Sequence, residues 1–483
     1  MFSYNVRHLT GAVITATLWG VAALSAQAQD TTADKSGPAT LAYKGVTLTP
    51  TGFFTMDALW RQRNETADIG SSFNGIPFNH TTNGQLSEFR VSARQSRLGL
   101  LAEGKISSAT LSGYWETDFL SAGTSSNTNE SDSYTARIRQ FFAQAVFDNG
   151  IGVDAGQMWS LMTPSKHGVL PRSEYVPATI DAQFSVGYNW ARQAGLRVSQ
   201  KFNDVVSAAV AVEQPQMTYA ARNAPADVVI GNAGGSLLNS SANYSTDPAP
   251  DVIGKIAFDS KRLGHFEVKA VGRAFRDRIV DPAGANGGSR TSTAYGGGVG
   301  AAALLTPTKL FDLGLNAMWG RGIGRYGTSQ LPDVTVSADG TVAPIEATQA
   351  LVTLDVHATP KLDVYGYGGV EYADRTAGVD ANGRGVGYGS PLLSNVGCDA
   401  EYAPAGPYTP GAPGGANPPC NADTRSIYQG NVGFWYRFYR GVSGTFEWGA
   451  QYSHTVRNTW VGAGYEPEAT ENMGFTSVRY YLP

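Results

Sequence analysis

The sequence predicts an all-β fold, a transmembrane antiparallel β-barrel of about sixteen strands, from two patterns and one compositional fact. From Leu48 onward, about sixteen stretches alternate apolar with polar residues, the period-two signature of a sheet with unlike faces. The connectors between them are in turn long and very short. Arg63–Ser87, Leu161–Phe184, Gln216–Ala249 and Ala373–Thr424 are long, whereas Asp148-Asn149-Gly150, Thr306-Pro307-Thr308-Lys309 and Thr359-Pro360-Lys361 are turns. A soluble sandwich has no reason to gather its long loops at one end. A membrane barrel does, because its turns face the periplasm and its loops face outside.

Composition agrees. Only 42% of the 483 residues are hydrophobic, yet aromatics reach 11% and there are 58 glycines. A barrel wall needs apolar side chains on one face only, and glycine eases its curvature. Charged residues make up 16%, below the roughly 25% of soluble domains. With 36 basic against 40 acidic residues, the chain lacks the positive excess that nucleic acid requires. Residues 1–28 read as a secretory signal peptide: Arg7, the apolar run Gly11–Leu24, then Ala26-Gln27-Ala28 for cleavage. An N-terminal anchor helix is the alternative, though this run is shorter than the ~20 residues that span a bilayer. Residues 29–47 then form a short periplasmic segment with no fold of its own, and residues 48–483 form the barrel.

In chain order the strands are expected at 48–62, 88–103, 107–120, 134–148, 151–160, 185–200, 204–214, 250–260, 264–277, 292–306, 309–320, 345–359, 361–374, 424–440, 442–456 and 470–482. An even count returns both ends to the periplasmic side. Several spans show their faces plainly. Leu111, Trp115 and Phe119 oppose Ser112, Tyr114, Glu116 and Asp118; Phe266, Val268 and Ala270 oppose Glu267, Lys269 and Arg273. A charged second face must meet water, so it lines a hydrated lumen if the first meets lipid. Trp60, Trp159, Trp190, Trp319, Phe434, Trp460 and Tyr480 near strand ends suit interfacial girdles, and equally suit ordinary packing.

Charge at mid-depth on a lipid face costs a few kcal/mol, so strand arginines should point inward or lie at the rim. The richest group is Arg90, Arg94, Arg97, Arg137 and Arg139, joined by Arg192 and Arg197. Alternation from Leu98 and Leu100 makes Arg97 lumenal and leaves Arg94 either lumenal through a bulge or in a rim or subunit-interface ion pair. Arg97, Arg137 and Arg139 either line the pore or brace the wall against Glu116 and Asp118. The third long loop carries Lys166, His167, Arg172, Glu174 and Asp181 among three prolines. Folded inward, its acids would face the wall arginines across the pore and set up a transverse field; lying flat outside is the alternative. Cys398 and Cys420 share the longest loop. In an oxidising compartment a disulfide is expected there, and no nearby His or third thiol supports a metal.

Four segments carry a family resemblance: Arg94-Gln95-Ser96-Arg97-Leu98-Gly99, Glu116-Thr117-Asp118-Phe119, Arg137-Ile138-Arg139-Gln140-Phe141-Phe142 and Ala155-Gly156-Gln157-Met158-Trp159-Ser160. In this order they resemble the opening strands of DcaP-like outer-membrane porins, and Arg192-Gln193 fits too. The resemblance covers about Thr49–Ser199. It implies a sixteen-stranded, usually trimeric porin with an inward third loop, in which Arg97, Arg137 and Arg139 form a constriction favouring small anionic solutes such as dicarboxylates. The sequence departs from the pattern in lacking a heptad segment before the barrel and in ending Leu482-Pro483. The expected partners are therefore small anionic or neutral solutes, outer-membrane lipid and further copies of the chain. No cofactor is expected. A substrate-specific channel is the alternative within transport; a rim enzyme or adhesin is the alternative outside it. For an enzyme, the five His after the signal are His80, His167, His265, His357 and His454; the two on strands, His357 and His454, lack triad spacing, and neither a nucleophile elbow nor His-Glu-x-x-His occurs.

Overall fold

The computed structural model describes residues 40–123, 125, 129–132, 134–225, 227–233, 243–284, 287–399, 401, 420–463 and 466–483. The expected signal peptide and most of the segment after it lie outside these residues. Sixteen strands form the wall: β1 (Val46–Arg61), β2 in two parts (Glu88–Ser92 and Arg97–Ile106), β3 (Ala109–Asp118), β4 (Arg137–Phe147), β5 (Ile151–Trp159), β6 (Arg192–Lys201), β7 (Val206–Glu213) and β8 (Asp251–Ser260). They continue through β9 (Gly264–Ile279), β10 (Arg290–Leu305), β11 (Phe311–Arg321), β12 (Glu346–Thr359), β13 (Leu362–Ala373), β14 (Thr424–Gly441), β15 (Gly444–Thr459) and β16 (Glu468–Tyr481). Each pairs antiparallel with its sequence neighbours, and β16 returns to β1 from Phe53↔Tyr481 to Arg61↔Met473. The cylinder is closed, so no strand edge is left open.

Connectors of two to five residues join the strands at one end, and the eight loops L1 (62–87), L2 (119–136), L3 (160–191), L4 (214–250), L5 (280–289), L6 (322–345), L7 (374–423) and L8 (460–467) stand at the other. Alternation sorts the wall as anticipated. Phe266 and Val268 are exposed while His265, Glu267, Lys269 and Arg273 are buried, and Phe54 and Met56 are exposed while Thr55 and Asp57 are buried. The buried face meets its charges internally: Glu267 takes Lys255 at 2.9 Å and Lys269 at 3.0 Å.

Three expectations shift. The N-terminal segment carries a rung of its own, because Lys44-Gly45, both at positive φ, turn Leu41–Tyr43 back onto Val46–Leu48. The sixth strand starts at Arg192 rather than 185. Phe184 (φ 69°) and Gly187 (φ 83°) leave the extended region, and the amides of Val186 and Gly187 bond the side chains of Gln429 and Glu371 instead of a neighbouring strand. Of the proposed girdle, Trp60 and Trp319 are exposed, but Trp159 is buried against Phe184 and Tyr188.

L3 is bonded to many strands. Lys255 Nζ donates to Thr163 O at 2.6 Å, Trp435 Nε1 to Ala178 O at 2.8 Å, and the Ile180 amide donates to Gln451 Oε1 at 2.6 Å. Ile180, Phe184 and Tyr188 share a buried cluster with Leu59, Tyr365, Trp435 and Phe475. L7 is closed by the Cys398–Cys420 disulfide. A side chain at Gly187 would strike the carbonyl of Ala350 on β12 in a backbone conformation that β-branched residues avoid. Gly187→Val should therefore loosen L3 from the wall by about 2 kcal/mol or more while the sheet still closes. Limited proteolysis should show new cuts within 160–191 at unchanged heat-modifiable gel mobility; equal protease resistance would refute the anchoring role.

Candidate functional site

The charged residues of β2, β3 and β4 meet on one inner surface. Alternation turns Tyr114, Glu116 and Asp118 inward from β3. On β4 the register slips between Gln140, opposite Glu116, and Ile138, opposite Thr117. This leaves Arg139 as an extra residue, a β-bulge that lets Arg139 and Gln140 both turn inward. Arg139 then lies between the carboxylates, with Nε 2.7 Å from Glu116 Oε1 and Nη1 2.9 Å from Asp118 Oδ2. Arg137 grips Asp118 with two bonds of 2.9 and 2.7 Å, the forked geometry that makes guanidinium–carboxylate pairs strong. Tyr114 Oη donates to Glu116 Oε2 at 3.0 Å, and Arg97 Nε stands 3.9 Å from Glu116 Oε1.

Exposure separates these arginines. The Arg139 side chain is 3% exposed, whereas Arg97 and Arg137 keep 26% and 31%. Two further guanidiniums lie on aromatic faces. Arg192 sits 4.6 Å over Trp159 and 5.6 Å over Trp190, and Arg172 of L3 sits 4.9 Å over Tyr114. Quadrupole attraction orients such a cation without neutralising it. Arg172 also holds φ at 69°, a conformation that costs energy for any residue with a Cβ. Arg479 joins the group over Phe53 and Trp435, at 5.1 and 4.5 Å. Its place between Val478 and Tyr480 would have revealed it by alternation.

The other candidates are spent elsewhere. Strand β2 breaks between Ser92 and Arg97, and there Arg94 turns to the rim. It pairs with Asp68 at 2.7 Å, donates to the carbonyls of Phe119 and Ser121 and covers the Tyr134 ring, joining L1 to L2. Arg197 is buried and donates to Trp159 O at 2.7 Å and Val169 O at 3.1 Å, bracing L3. Asp181 is 1% exposed and accepts the amides of Ser71 and Gln183; burial raises its carboxyl above the ordinary value. It therefore packs on L1 through the Ser71 amide. Glu174 bridges to Ser165 within L3, and desolvation raises its carboxyl too. Among the described residues, no cluster of His, Cys, Asp and Glu could hold a metal.

Removing Arg139 leaves two buried carboxylates without their shared partner, at a cost of about 3–5 kcal/mol. Removing half-exposed Arg137 should cost no more than about 1 kcal/mol, since screening weakens such pairs. Urea unfolding of Arg139→Ala and Arg137→Ala in lipid vesicles measures both; equal losses would contradict the division into brace and open cation.

Neither a family model nor a curated relative matches the sequence. Among solved structures, the outer membrane channel DcaP of Acinetobacter baumannii aligns over 92% of this chain and 100% of its own, with TM-score 0.64 and 16% identity. The anion-selective porin from Comamonas acidovorans aligns over 90% of this chain and 100% of its own, at TM-score 0.46 and 9% identity. Salmonella typhi OmpF aligns over 92% of this chain and 100% of its own, at TM-score 0.47 and 12% identity. The resemblance to DcaP-like porins seen in the opening strands thus extends through the barrel, and the fold of this chain is that of an outer-membrane channel.

Proposed function

We propose that the chain is a passive porin of the Gram-negative outer membrane, exported with a cleaved signal peptide, that admits small hydrophilic and preferentially anionic solutes. The observation that carries this reading is the arginine group itself. Arg97, Arg137 and Arg139 face two carboxylates, while Arg172 and Arg192 rest on aromatic rings. Such a surface keeps net positive charge beside water, and an anion passing it exchanges hydration for guanidinium contacts. Several weak contacts in series, rather than one tight site, allow entry and release. The third loop would fold inward and narrow the passage. Its bonds to Gln451, Trp435 and Lys255 and its share in the buried cluster support that reading. Trimeric assembly through the outward wall fits the same reading, and catalysis has no part in it.

Reversal potentials across a planar bilayer in a salt gradient test the anion preference, and clear cation selectivity would remove it. With Arg97, Arg137 and Arg192 all changed to Ser, the anion-to-cation permeability ratio should fall by about two- to fivefold per arginine, as for a screened charge at close range. An unchanged ratio would leave these residues as wall supports only. A substrate-specific channel is the second reading, favoured by how many strands the third loop touches; saturable uptake of one solute class would decide for it.

A further inference from the structure

The outward faces of three neighbouring strands change chemistry at one level. On β9, five apolar or small alternate positions from Phe266 to Ala274, the last of them covered, are followed by Arg276 and Arg278. On β10, six apolar or small positions counted from Leu305 end at Tyr295 and give way to Thr293 and Thr291. On β11, five from Phe311 end at Trp319 and give way to Arg321. A run such as Phe266–Ala274 rises about 20 Å for a strand tilted near 40°, close to the ~25 Å apolar band of a membrane barrel. Arg276 therefore stands on the first rung beyond hydrocarbon, where headgroups begin.

The two arginines are a matched pair. They lie two residues apart on one face, about 7 Å along the strand, and both are exposed. Thr293 stands opposite Arg276 and Thr291 opposite Arg278, whose Nη1 donates to Thr291 Oγ1 at 3.0 Å. No ion pair engages either guanidinium among the described residues. Nearby acids are Asp227, one rung beyond Arg278, Asp281, three residues on and accepting the Gly288 amide, and Glu346, opposite Arg321 and holding Trp319 Nε1 at 3.0 Å. Arg321 is thereby partly balanced, and Arg276 with Arg278 is not. Tyr295, one rung below, is 80% exposed, as suits an aromatic at the boundary of acyl chain and sugar. On β1 the first polar outward residue in the same direction is Gln62, just beyond the strand, and on β16 the first charged one is Glu468. Arg90 on β2 has Glu88 at 3.3 Å.

We propose that this face binds the phosphorylated sugar headgroup of an outer-leaflet glycolipid, with Arg276 and Arg278 forked onto one phosphate monoester and the threonine hydroxyls beside it. Planar guanidinium donors fit two phosphate oxygens at once, which an ammonium does not. The inference rests on the outer-membrane placement proposed above and is independent of what crosses the lumen.

The full chain, purified in detergent and freed of lipid, can be titrated with bisphosphorylated lipid A and with its dephosphorylated counterpart, bound lipid being counted by native mass spectrometry. The bisphosphorylated form should bind more tightly. Changing Arg276 and Arg278 to Ser should remove that advantage, about fivefold per arginine, while Glu468→Gln at the same level should not. Equal binding of the two lipids, undiminished binding by the double variant, or displacement by millimolar inorganic phosphate would each overturn the proposal. If the serine pair fails to give heat-modifiable protein, Arg276→Lys with Arg278→Lys replaces it; intermediate binding is expected, and wild-type binding would overturn the forked contact. Conductance in phosphatidylcholine bilayers lacking lipid A should match wild type. A silent wild-type channel there would strike at the porin reading and leave the lipid site standing.

Discussion

The rest of the structure depends on backbone amide saturation. Inside hydrocarbon, an unpaired N–H or C=O costs several kcal/mol, so the sheet must close, as it does between β16 and β1. Closure then fixes the side chains. Each strand must send alternate residues inward, and the curvature crowds those residues together. The polar half of a chain with near-zero net charge is gathered into a narrow interior, where Glu267 meets Lys255 and Lys269 and Arg139 meets Glu116 and Asp118. Local charge density comes from topology, not from composition.

Within that interior, cations divide by how they are held. A guanidinium buried between two carboxylates, as Arg139 is, is structural, because its field ends on its partners. Guanidiniums held by rings keep their field: Arg192 over Trp159 and Arg172 over Tyr114 are fixed in position without being cancelled. Aromatic residues thus do two jobs in this barrel. At the rim they mark a boundary, as Trp319 and Tyr295 do on the outer face, and within the wall they hold charge in place.

Much of this was legible in the sequence, because a period of two is a local signal and turn residues punctuate it. The strands, the alternation of loops and turns, and the faces of β3 and β9 followed directly. The disulfide followed from the compartment and from the loop that both cysteines share. What alternation could not reveal are the places where it is broken. Arg139 and Gln140 turn inward together through a bulge, which simple parity does not allow, and the break after Ser92 sends Arg94 to Asp68 on another loop. The start of β6 was misplaced because 185–191 reads like strand but is claimed by Gln429 and Glu371, far away in sequence. The same long-range claims turned Asp181 toward Ser71. Loop partners chosen across hundreds of residues leave no periodic trace.

The bulge in β4 has a consequence for how such a wall can change over generations. A one-residue insertion or deletion in a barrel strand ordinarily flips every side chain beyond it, exchanging greasy and wet faces together. In β4 the spare residue is already present, and pairing resumes on either side of it, Ile138 with Thr117 and Gln140 with Glu116. Loss of that one position would carry away a guanidinium and leave the neighbouring rungs in step. The register can thus survive a change of length at this point, provided that Glu116 and Asp118, which share the lost guanidinium, change with it.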